Sequence, residues 1–180
     1  MVKRGSTLAL SAMALAVAAC ARPYRPDSLL GPPAHVEGSG ATVSSAASQV
    51  GCLDVRVVAI RLAAERAHHL LLPPSAQLYG FVFGNRCDVP VRVDFTQVRA
   101  TARLANGARV RLKAFDPRSE LRPAMLGPRR LGSETIEFDS PNNEPIASVC
   151  VDITQFADGA GGPREVCFGP SGEVVMPRPG

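Results

Sequence analysis

Four of the five cysteines, a histidine pair, a scatter of carboxylates and a group of arginines are the residues of this 180-residue chain whose types could do chemistry. Cys52, Cys87, Cys150 and Cys167 lie 35, 63 and 17 positions apart. Zinc sites are built on close pairs such as Cys-x-x-Cys, and dithiol redox centres on two sulfurs side by side, one of low pKa. Neither spacing occurs. An even set of distant cysteines in an exported chain reads as two disulfides, with three pairings open. Glu65, His68 and His69 form a Glu-x-x-His-His run, and on a helix Glu65 and His69 would share a face as two metal ligands. A third ligand must come from elsewhere, and His35 lies far upstream. A polar loop is the simpler reading, and no metal is expected.

Asp116, Glu120, Glu134 and Glu137 could pair for glycoside hydrolysis. Sugar-binding clefts are commonly floored by aromatic rings, however, and this chain has no Trp and two Tyr. Solvated strand ends explain these carboxylates as well. No Gly-x-Ser-x-Gly presents a serine nucleophile, and Asp158–Gly162 lacks the Lys and Ser/Thr of a phosphate loop. The expectation is a protein that is not an enzyme, with no catalytic residue, cofactor or metal.

The remaining cysteine has a different setting. Lys3 and Arg4 precede a run from Leu8 to Ala19 that is apolar apart from Ser11. A basic start, about a dozen apolar residues and small residues at the close make a secretory signal. The run is short of the about 20 residues that a spanning helix needs. Val17-Ala18-Ala19-Cys20 closes it and resembles the lipobox of bacterial lipoproteins: an aliphatic residue, two small ones, then cysteine. That resemblance covers this segment alone. It implies a diacylglyceryl group on the Cys20 thiol, cleavage before Cys20 and acylation of the new amine. Two or three chains on one residue would hold a protein on a membrane almost irreversibly, since each buried methylene contributes about 0.8 kcal/mol. By analogy with sorting in some Gram-negative bacteria, Ala21 favours the outer over the inner membrane.

Without Lys3 and Arg4 the 20 basic side chains fall to 18, against 16 acidic ones. With no compact basic run interleaved with aromatics, nucleic acid is not an expected partner. Residues 20–49 are rich in Pro, Gly, Ser and Ala without an apolar period. They read as a flexible, disordered tether with a mean reach of roughly 30 Å.

Residues 50–170 carry the strand signals. Cys52–Leu62 alternates, with Leu53, Val55, Val57 and Ala59 on one face. Ala63–Leu72 could turn as helix before Pro73-Pro74 stops it. Gln77–Phe83 and Val89–Phe95 read as the next strands, around a turn at Gly84–Asp88. Asp116–Ser133 reads as mostly loop, and Glu134–Phe138 as a strand before a turn at Ser140–Asn143. Ile146–Ile153 and Glu165–Phe168 close the domain, and 171–180 reads as a frayed tail.

Between these lies a hairpin around Asn106-Gly107 whose register can be derived. A three-residue loop, Ala105-Asn106-Gly107, pairs Leu104 with Ala108, Ala102 with Val110 and Ala100 with Leu112. Every apolar side chain then shares one face. Arg99, Arg103, Arg109, Arg111 and Lys113 share the other with Thr101. A two-residue loop would mix the faces, and burial selects against it. The arrangement predicts a type I turn with Gly107 left-handed. The basic face could meet acidic partners, lipid head groups or anionic glycans, or it could be an ordinary solvated sheet face.

Seven or eight short strands with frequent turns make an all-β protein, an antiparallel β-sandwich, immunoglobulin-like in general shape. An up-and-down path brings Cys52 to Cys87 and Cys150 to Cys167, the favoured pairing. The expected role is non-catalytic binding or assembly in the cell envelope, with a partner protein there. An inhibitor or scavenger of an exogenous enzyme, or a hydrolase with an unrecognised site, are the alternatives.

Overall fold

The computed structural model describes residues 23–38, 41–62, 76–115, 121–139, 145–157 and 164–175. Among them the architecture is the expected antiparallel β-sandwich, with twelve strands and no α-helix. Its first half-sheet runs β1 (Ala34–Gly38), β2 (Ala41–Val50), β3 (Leu53–Leu62), β4 (Gln77–Asn85) and β9 (Leu131–Asp139). The second runs β7 (Arg109–Phe115), β6 (Arg99–Leu104), β10 (Ile146–Asp152), β11 (Glu165–Phe168) and β12 (Val174–Val175). Strand β7 joins the halves: its first residues pair with β6, and Lys113–Phe115 pair with β9. The sheet therefore folds over at β7, and its far end returns to β2, where Arg164 Nε donates to the Gln49 carbonyl at 3.1 Å. A separate ribbon pairs β5 (Val91–Val93) with β8 (Ala124–Leu126).

The core fills the space between the halves. Leu53, Val55, Val57 and Ala59 are fully buried, as the alternation of β3 predicts. Ala100, Ala102, Val149 and Val151 face them from the second half, also fully buried. Phenylalanines take the place of the absent Trp. The rings of Phe83, Phe95 and Phe156 lie 4.8 to 5.5 Å apart, and Tyr79 meets Phe138 and Phe168 at 5.9 and 5.6 Å. Phe95 reaches this cluster from a single 3-10 turn, whose N-cap Asp94 accepts from the Thr96 amide.

The predicted hairpin register is observed: Ala100 pairs with Leu112 and Ala102 with Val110. The Leu104 amide donates to the Ala108 carbonyl at 2.9 Å, and Gly107 has φ 88°. Both favoured disulfides are present, Cys52–Cys87 and Cys150–Cys167.

Three expectations are corrected and a fourth is refined. Residues 34–38 and 41–50, read as part of a disordered tether, are β1 and β2. Strand β2 has no apolar stripe because its inward positions are Ser44, Ala46, Ser48 and Val50, and small side chains there let β11 and β12 approach. Its burial comes from the layer above it, which a hydropathy pattern does not register. Asp116–Ser133, read as mostly loop, is interrupted where described by β8 and by the start of β9. Of Val89–Phe95 only Val91–Val93 is strand, because Phe95 turns inward and Val89 is 59% exposed. The tail begins ordered, with Val174 and Val175 pairing to Phe168 and Cys167. The helical reading of Ala63–Leu72 and the turn at Ser140–Asn143 lie outside the described residues.

Candidate functional site: the arginine face and the N-terminal clamp

The outer face of the second half-sheet collects the hairpin's basic residues. Arg99, Arg103, Arg109, Arg111 and Lys113 are all exposed, and the alternation that buries Ala100, Ala102 and Leu104 dictates it. Register then sets their neighbours. Arg103 stands directly across from Arg109, Arg111 across from Thr101, and Arg99 across from Asp152 of β10. Like charges directly opposed on a sheet are destabilising. No ion pair among the described residues involves Arg103 or Arg109.

A groove of about 500 Å³ opens beside this pair. Arg103 and Arg109 line one side, the Cys150–Cys167 disulfide and Ser148 lie along it, and Glu165 and Glu173 line the other side. Glu173 is engaged, accepting from the Ser171 amide at 3.0 Å. Cys150, Glu165 and Cys167 place three potential ligand atoms within 4.8 Å of one another. Both sulfurs are spent in the disulfide, so no thiolate is available to a metal.

The carboxylates do not converge where they are described. Glu134 and Glu137 are three residues apart on β9, an odd spacing that sends them to opposite faces of the sheet. Asp116, Glu120, Glu65, His68, His69 and Asp158–Gly162 lie outside the described residues. His35 is on β1, its Nδ1 2.6 Å from Ser44 Oγ.

A second constellation escapes sequence reasoning. Asp54 projects from β3 away from the core and is nonetheless fully buried. Its cover is the chain beginning at Tyr24. The Tyr24 hydroxyl donates to Asp54 Oδ2 at 2.6 Å, and Gln49 Nε2 donates to Oδ1 at 3.0 Å. Arg86 Nε forms an ion pair with Oδ1 at 3.0 Å. The Tyr24 ring lies flat against Gly84, where a Cβ would come within 2.4 Å of ring carbons. Its amide donates to the Arg129 carbonyl at 2.7 Å. Two residues along β3, Arg56 grips the same segment. It donates to the carbonyls of Leu29 at 2.7 and 3.0 Å and Gly31 at 2.8 Å, and to Ser45 Oγ at 2.9 Å. The one available signal was Asp54 and Arg56 among the otherwise apolar residues of Leu53–Ile60, since a buried charge demands partners.

No family model and no curated protein matches this chain. Distant likenesses exist among solved structures. The yjhA protein from Bacillus subtilis aligns over 64% of this chain and 82% of its own, at 12% identity and TM-score 0.42. A candidate lipoprotein of Bacillus subtilis, ycdA, aligns over 74% of this chain at 11% identity and TM-score 0.35, and this chain spans 37% of that one. A DUF1425 family member from Shewanella sp. pv-4 aligns over 83% of this chain and 100% of its own, at 15% identity and TM-score 0.28.

Proposed function

We propose that this protein is a lipoprotein of the bacterial cell envelope, anchored through lipid on Cys20 in the outer membrane. Its role is non-catalytic: the domain binds an acidic envelope protein through the arginine face. The anchor rests on Val17-Ala18-Ala19-Cys20 and the basic and apolar segments before it. The binding role rests on one observation, the directly opposed Arg103 and Arg109 at the mouth of the groove. A pair of like charges with no counter-ion among the described residues is relieved when a carboxylate-bearing partner arrives, and bidentate guanidinium–carboxylate contacts give such an interface its geometry.

In-cell cross-linking of the full-length protein, followed by detergent purification and mass spectrometry, tests the binding role. One recurrent envelope protein should be recovered, and Arg103→Glu with Arg109→Glu should reduce its yield at least about tenfold. Absence of any partner above background, or undiminished capture by the double variant, overturns the role. The anchor fails separately if Cys20→Ala leaves processing and carbonate-resistant membrane association unchanged.

A further inference from the structure

We propose that the domain lies directly against the lipid leaflet through the Tyr24 end of the first half-sheet's outer face, so that the arginine face is held on the far side of the sandwich. This rests on the lipid attachment at Cys20 proposed above and goes beyond it to the orientation of the bound protein.

The argument begins with chain length. A free tether of thirty residues would average a reach of roughly 30 Å. The structure removes nearly all of that length. Tyr24 is only 3% exposed, held by its ring, its hydroxyl and its amide. Arg56 then binds the carbonyls of Leu29, Gly31 and Pro32, and β1 begins at Ala34. Four Cα steps separate Cys20 from Tyr24, and fully extended they span at most about 14 Å. A lipid on Cys20 therefore brings the surface around Tyr24 to the head groups.

That surface suits such a position. Leu131 is the register partner of Gly84, so it projects from the same face as the Tyr24 ring, and it is 53% exposed. Val89 is 59% exposed, and its carbonyl is tied to Asn85, the residue after Gly84. Arg25 and Arg130, both exposed, flank Tyr24 and Leu131. Apolar side chains among arginines fit the boundary of an anionic leaflet, where the guanidinium groups meet phosphate and the apolar groups leave water. Arg103 and Arg109 are on the outer face of the other layer, about 10 Å behind the first. They face away from the leaflet that holds the anchor and toward a partner in the aqueous space.

The test uses the full-length protein, processed in cells and reconstituted in phosphatidylethanolamine–phosphatidylglycerol vesicles containing a head-group spin-labelled lipid. Leu131→Cys and Arg109→Cys variants each carry a fluorophore on the added thiol, the native four core cysteines being in disulfides. Quenching at position 131 should exceed that at 109 severalfold. Equal, weak quenching at both positions, with lipid on Cys20 confirmed by mass, overturns the apposition and leaves the anchor standing. Absence of the lipid mass overturns both.

Discussion

The Tyr24 hydroxyl donates to Oδ2 of the fully buried Asp54 at 2.6 Å, across thirty residues of chain. This contact turns a segment that reads as spacer into part of the domain. A carboxylate buried there needs partners: Tyr24 and Gln49 donate to it, and the Arg86 guanidinium is its counter-ion. The clamp and the core therefore sit on opposite faces of the same strand, β3.

Tyr24→Phe keeps the ring on Gly84 and removes one donor from the carboxylate. A hydrogen bond to a charged group contributes about 1.5–3 kcal/mol. The expected loss is at the low end, since Gln49 and Arg86 remain. Urea denaturation of the soluble domain reads it as a lowered midpoint. An unchanged midpoint would mean that Asp54 is satisfied without the hydroxyl.

Two glycines of β4 separate packing from strand propensity. At Gly84 a Cβ would meet the Tyr24 ring at 2.4 Å, whereas at Gly80 its nearest neighbour is Val58 Cβ at 3.6 Å. Gly84→Ala should cost about 1–3 kcal/mol by overpacking. It should also displace the N-terminal segment, exposing the buried Tyr24 and its bond to Arg25 to chymotrypsin. Gly80→Ala should be near neutral and leave chymotryptic cleavage after Tyr24 slow. Equal behaviour of the two variants would contradict the seating of Tyr24.

Removal of each disulfide tests the staples separately. The Cys52–Cys87 bridge closes 35 residues and the Cys150–Cys167 bridge 17. Loop-closure entropy assigns about 4 and about 3 kcal/mol to them. Paired Cys→Ala variants should lower the thermal midpoint in that order. The second pair should also disturb the groove, whose lining includes both cysteines.

Tyr79 makes stability sensitive to alkali. Burial raises its pKa above the ordinary tyrosine range, and Arg61, through charge and a hydrogen bond to the hydroxyl at 3.0 Å, offsets this in part. The folded state therefore keeps its proton when the unfolded state loses it. Stability is fully present below about pH 10 and falls as pH rises from there through the folded pKa. Tyr79→Phe should flatten this part of the stability profile. A slope unchanged by the substitution would assign the alkaline loss to other groups.

The hairpin and the disulfides were legible because their determinants are local or countable. Asn106-Gly107 supplies the left-handed turn residue, and the alternation of Ala and Leu with Arg allows one register only. The same alternation exposed Arg99, Arg103, Arg109, Arg111 and Lys113. Strand β3 was legible for the same reason, with large apolar residues at every second position. Strand β2 was not, since Ser44, Ala46 and Ser48 offer no contrast with their neighbours. Only the stacking of a second layer and pairing with β3 bury Ser44 and Ala46 and half-bury Ser48.

By itself, then, the sequence determined which side chains share a face, which cysteines can meet and where the chain turns. These follow from a two-residue period and from turn chemistry, both short-range. Only the tertiary structure decided what covers the outer face of β3. Tyr24 meets Asp54 and Gly84, and Leu29 and Gly31 meet Arg56, because the half-sheet brings residues from distant parts of the chain to one surface. No periodicity announces such contacts: they arise from a buried charge finding donors, and from a glycine leaving room for a ring.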